Sequence, residues 1–457
     1  MENETSALLR QWHFRAMHLE TLVARMRDYL HRQEASPAYS GKAIQLLRCA
    51  DDQCLEFDER LRQFSETVDG FHSLDLVSDR GQDLDGEIAS IARDFRDTHV
   101  LVRLISPSSV FDIPSPFVLS LRELARRVKA AVSVVVIPLP VYNYGQLRRW
   151  AVPDEFCLLS MPYTGHQDLL GGTILFHELG HFVAQAIGFA TKLLARAPRE
   201  VEQAASDIVV PLARCLGTVH ASRDWLLGKA RNTIYSWCEE AFADCFGLRC
   251  AGPAYTAAML SFPWPPVDER DETAHIEHPP LENRVHLVLR CDGKLGLHEL
   301  WEDGAAWVLQ AAQRLAGLTP GAGALARTCW EHLLKLFPTV EDVLDNVCRT
   351  YPGLAFDLVR FGTERREVNA NLSDLTTAGQ VLCKSTFIPE WRTILNVAWE
   401  IALAGFKEWH RLLETVGDQA ETHVEFAEKL CALGLKSIED SMICERWEGA
   451  ANVRFGP

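Results

Sequence analysis

The sequence predicts a mainly α protein with a small β-sheet. Apolar stripes stepping by three and four residues run through roughly the first hundred positions and return after about Leu297. Runs with strand character are confined to Val132–Ile137 and Phe156–Met161. At 457 residues, 47% hydrophobic and 24% charged, the chain can enclose two or three cores. The expected division is a helical bundle or antiparallel coiled coil over 1–104, a compact core over 117–292 and a helical C-terminal region over 293–457.

Each element follows from its residues. Trp12, Ala16, Leu19, Val23, Met26 and Leu30 mark the first helix; Leu47, Ala50, Cys54, Phe57, Leu61, Phe64 and Val68 mark the second; Leu84, Ile88, Ile91, Phe95 and Val102 mark a third. Pro37 and Gly41 separate the first pair, and Gly70, Gly81 and Gly86 form the second break. A packed structural bundle is the simpler reading of these stripes, with a partner-docking surface as the other. Ile105–Pro116 reads as a linker, and Phe117–Lys129 as a short helix. Two strands ended by Pro138 and Pro162 come next, and then one helix capped by Asp168 and running through Leu169, Leu170, Ile174, Leu175 and Phe176. Helices are expected at Val201–His220, Thr233–Ala251 and Leu281–Cys291, and helical stripes without strand-like alternation fill 297–448.

Composition excludes several roles. A formal net charge of −16 argues against binding a phosphate backbone. No uninterrupted apolar run is long enough to span a bilayer; Ala130–Val141 comes nearest and is broken by Pro138 and Pro140. The acidic start is unlike a signal peptide, and 13 scattered cysteines without a C-x-x-C pair suit free thiols in a reducing compartment. A soluble cytoplasmic protein is the expectation.

The chemistry concentrates at Phe176-His177-Glu178-Leu179-Gly180-His181, an H-E-x-x-H pattern. On a helix, residues four apart share a face, so His177 and His181 can reach one metal ion while Glu178 takes a proton from its water. A catalytic zinc needs a third protein ligand. Glu240 and Asp244 repeat the four-residue spacing on a helix that Phe242, Ala243 and Phe246 make partly buried. Glu240 would ligate, and Asp244 would accept the free ring N–H of a ligand histidine. Glu239 is the competing ligand, but Ala243 stands four residues on, where Glu240 has Asp244. Cys238, Cys245 and Cys250 fit no structural zinc spacing, Gly171-Gly172 lacks the ending of a phosphate loop, and no G-x-S-x-G occurs.

His177-Glu178-x-x-His181 followed by Glu240-x-x-Ala243-Asp244 resembles the gluzincin zinc metallopeptidases, the group of thermolysin and neprilysin. Phe242-Ala243-Asp244, then His278-Pro279-Pro280 and Arg284-Val285, resembles more particularly the CAAX-type prenyl-protein endopeptidases and related bacterial membrane-quality-control proteases. The likeness covers about Val132–Cys291. It implies a zincin-like core with Zn²⁺ on His177, His181 and Glu240, Glu178 as general base, His278 as oxyanion donor and Arg284 as partner of a carboxylate. Tyr235 and Tyr163 are secondary donor candidates. Those relatives are commonly membrane-embedded, and this chain shows no spanning helix, so their membrane substrates do not carry over. The expectation is a soluble zinc endopeptidase acting on a protein or peptide. The alternatives are a non-catalytic helical scaffold with a peptide-binding core and a zinc hydrolase of a non-peptide amide.

Overall fold

The structure, a computed structural model, describes residues 2–34, 41–70, 83–84, 86–95, 133–139, 145–146, 156–162, 169–218, 221–261, 272–297, 323–373, 389–404 and 430–443, with a few isolated positions between 98 and 124. Two units are described separately: one holds Met1–Ile113 with two short later segments, the other most of the chain from Pro114 onward.

In the first unit, α1 (Glu2–Glu34) and α2 (Gly41–Asp69) lie side by side because each carries one apolar stripe. Every stripe residue named above is buried in one cluster, including Leu84, Ile88, Ile91, Phe95 and Val102. Ion pairs edge the stripe, Arg27 to Asp51 at 3.1 Å and Arg60 to Asp94 at 2.9 Å. Gly86, expected at a break, lies in a helix instead.

In the second unit α3 is Leu169–Gly172, α4 Leu175–Ala186, α5 Phe189–Arg196, α6 Pro198–Cys215 and α7 Arg223–Ala251. They are followed by α8 (Pro253–Ser261), α9 (Leu281–Leu295), α10 (Ala324–Thr350), α11 (Leu358–Ser373) and α12 (Trp391–Ala404). From Trp237 to Ala251 almost every residue of α7 is buried, because α4, α6, α8, α9 and α10 all pack on it. A helix packed on every side is the centre of this unit.

The expected small β-sheet is not upheld. The described fold is 89% helical, and mainly α is the class. Extended runs stand at Ser133–Leu139, Gly145–Gln146 and Phe156–Pro162, but the register described among them is two residues long, Gly145↔Ser160 and Gln146↔Leu159. β-branched composition favours extended backbone, whereas a sheet requires pairing partners that propensity does not supply.

The single helix expected from Asp168 onward is also corrected, although Asp168 itself lies outside the described residues. The chain breaks at Thr173-Ile174, between α3 and α4. Gly171-Gly172 have low helix propensity. The Thr173 hydroxyl donates to Leu169 O at 3.2 Å and accepts from Trp399 Nε1 at 3.2 Å. His177 and Glu178 therefore fall in the first turn of α4, where a carboxylate is favoured by the helix dipole.

α4 and α7 approach closely because position 180 is glycine. A Cβ there would stand 2.7 Å from Ala243 Cα. Gly180→Ala is expected to force the helices apart, costing about 1–3 kcal/mol by overpacking, and, by moving Glu240, to weaken the metal binding expected there. Urea unfolding and metal content check both parts.

Candidate metal centre

Three buried side chains converge where α4 crosses α7. His177, His181 and Glu240 are 4%, 6% and 4% exposed, and they form a group able to hold a metal ion. The two Nε2 atoms are 3.0 Å apart; Glu240 Oε2 is 3.4 Å from Nε2 of His177, and Oε1 is 3.2 Å from Nε2 of His181. A tetrahedral ion with bonds of 2.0–2.1 Å separates its donors by about 3.3 Å. The donor set fits.

The imidazoles are aimed from behind. His177 Nδ1 lies 2.8 Å from Asp244 Oδ1, and His181 Nδ1 lies 3.2 Å from Glu239 Oε1. With each Nδ1–H donated to a carboxylate, each Nε2 lone pair faces the shared point. Glu240 Oε2 is buried there without a hydrogen-bond partner. The guanidinium of Arg284 faces it from 3.5 Å without hydrogen-bonding it, and a bound metal ion would satisfy it directly.

Asp244 is the hub of the support. Its carboxylate is fully buried and accepts from Arg284 Nε at 2.8 Å, Arg284 Nη2 at 2.7 Å and the Tyr255 hydroxyl at 2.7 Å. Tyr255 reaches it because its ring lies over Gly247, where a Cβ would stand 2.5 Å from the ring. Asn396 of α12 bridges the turn that delivers Tyr255, donating to Ala251 O at 2.7 Å and accepting from Ala254 N at 2.8 Å. Arg284 comes from α9, whose first turn follows Pro279-Pro280. It also stands 3.5 Å from Glu240 Oε2.

His278 lies at the rim. Its side chain is 63% exposed, yet Nδ1 is 3.0 Å from Glu240 Oε1. Trp237 Nε1 donates to His275 O at 2.9 Å and so ties this segment to α7. Glu178 follows His177 on α4 and is half-buried. Tyr163 lies outside the described residues. Tyr235 neighbours Arg231 and Glu202 and, five residues from Glu240, points to another side of α7.

The local charges are strongly coupled. Burial and the charge of Arg284 oppose protonation of His177, but Asp244 and Glu240 outweigh them and raise its pKa to about 9. His181 is raised as well: burial opposes, and Glu240 and Glu239 overcome it. Burial works against ionisation of Glu240 and Asp244, yet both are held below the ordinary carboxylate range, Glu240 by His181 and Arg284, Asp244 by Arg284 and His177. With a pKa of about 9, His177 carries a proton at neutral pH when no metal is bound, and an ion must displace it. Metal uptake at pH 7 is expected to release about one proton per ion from His177, and apparent affinity should climb as pH rises towards about 9, the His177 value, then level off. Calorimetry in buffers of different ionisation enthalpy reads the proton count.

Two supporting residues escaped sequence reasoning. Glu239, weighed only as a rival ligand, faces the back of His181. Tyr255 carried no signal beyond being the largest side chain in Pro253–Ser261, a run otherwise of small and apolar residues. Comparison with protein-family models, curated proteins and solved structures finds no match.

Proposed function

We propose that the protein is a zinc-dependent endopeptidase. The observation that carries this reading is the convergence of His177, His181 and Glu240 on one point, with Glu178 beside them on α4. Two imidazoles and one carboxylate are a donor set that suits zinc, and three protein ligands leave a position for water. When bound, the ion supplies Lewis acidity, polarising a scissile carbonyl and making a water acidic near neutral pH.

The chain's own residues supply the remainder. Glu178 accepts the proton of the attacking water and delivers it to the departing amine nitrogen. Asp244 and Glu239 keep both imidazoles in the Nδ1–H tautomer. His278 holds a proton more firmly than an ordinary histidine, through its hydrogen bond to Glu240. From the rim it can donate to the oxygen that gains charge as the carbonyl is attacked. No helix among the described residues is long and apolar enough to cross a membrane, so the proposed substrate is a peptide or protein segment reached from water.

Glu178→Gln tests the proposal. The variant is expected to retain about one zinc per chain and to lose at least ~10²-fold of its cleavage rate, the range for a missing general base. Proteins that persist only when the variant replaces the wild type would be substrates. A wild type that binds no zinc, or a variant that cleaves equally well, defeats the peptidase reading.

A further inference from the structure

Cys245 and Cys291 lie on the two helices that carry the support of the metal centre. Cys245 follows Asp244 on α7, and Cys291 stands seven residues beyond Arg284 on α9. Their sulfurs are 3.1 Å apart. The two residues are 1% and 5% exposed, so Cys291 is the one nearer solvent. Its Sγ also lies 3.6 Å from Oε1 of Glu341, a carboxylate held by Lys294 at 2.6 Å. The thiol thus has a hydrogen-bond acceptor beside it, and the thiolate is the form that reacts with peroxide.

We propose that Cys245 and Cys291 form a peroxide-dependent disulfide that ties α7 to α9. The oxidant is hydrogen peroxide, small enough for a thiol with so little exposed surface. The Cys291 thiolate attacks one peroxide oxygen; an S–O bond forms, the O–O bond breaks, and the departing hydroxide takes a proton to become water. Cys245 then attacks the Cys291 sulfenic sulfur; the S–S bond forms, the S–O bond breaks, and hydroxide leaves with the Cys245 proton as a second water. Two thiols are oxidised and one peroxide is reduced to two waters. Cys245, the less exposed of the two, acts as the resolving partner; contact with Cys291 and then burial raise its thiol. The link would fix the spacing of the helices next to the Asp244–Arg284 pair.

The experiment exposes folded wild-type protein to hydrogen peroxide, alkylates the remaining thiols in denaturant and maps the digest with and without reductant. Oxidation of Met17, 56% exposed, certifies the exposure to peroxide. The expected result is one cross-linked peptide joining Cys245 to Cys291, a chain about 2 Da lighter, and recovery of both thiols on reduction. Cys291→Ser should abolish the cross-link. The wild-type map decides even where that variant folds poorly. Both cysteines alkylated while Met17 is oxidised overturns the proposal, as does either one linked to another cysteine. The map is read without reference to metal, so absence of zinc would sink the peptidase reading and leave the disulfide untouched.

Discussion

Alanine at position 240 is expected to abolish metal binding by the His177–His181–Glu240 group, with a loss of affinity well beyond the ~10–100-fold typical of a residue that only orients a ligand. Glu240 is the sole carboxylate among the three converging groups, and both of its oxygens lie within 3.4 Å of a histidine Nε2. Without it, two neutral imidazoles face a cation with no charge to offset it. Glu239→Ala is the matched comparison. Glu239 touches the far nitrogen of His181, so its loss frees the ring without removing a donor, and the expected weakening is about 10–100-fold. Zinc affinities measured by competition with a chromogenic chelator separate the two. Full metal retention in Glu240→Ala, or a larger loss in Glu239→Ala, would reassign the third ligand.

Arg284→Leu should be the most destabilising single change near the site. It leaves the Asp244 carboxylate, fully buried, without its bidentate cation. Breaking a buried pair from one side costs about 3–5 kcal/mol, since the remaining charge stays desolvated. Arg231, paired with Glu202 at 2.8 Å but 41% exposed, offers the contrast. Its replacement by alanine should cost far less, because solvent screens a surface pair. Urea unfolding of both variants, with chelator present throughout so that metal loss does not contribute, gives the two values. Equal costs would show that Arg284 is not the buried counterion described above.

The ligand geometry was legible because it is local. His177 with His181, and Glu240 with Asp244, are four residues apart on helices whose apolar neighbours declare them. The N-terminal stripe was legible for the same reason, and each of its named residues is buried. Local reasoning misjudged what depends on distant partners. The run Ser133–Leu139 has strand composition, but a sheet requires long-range pairing. The helix entering the motif breaks at Thr173, where Trp399, 226 residues away, engages the hydroxyl.

The sequence by itself therefore determined the helical stripes and the two four-residue constellations, because backbone hydrogen bonding within a helix sets which side chains share a face. Tertiary structure alone decided that those constellations meet, through an α4–α7 approach that only Gly180 permits. It also assigned the backs of the ligands. Glu239 and Glu240 are neighbours 100° apart on one helix, and which of them meets Nε2 depends on where α4 lies against α7. Tyr255 and Arg284 reach Asp244 only because α8 and α9 pack beside α7. Side chains from different helices meet according to packing, and packing is a property of the whole unit.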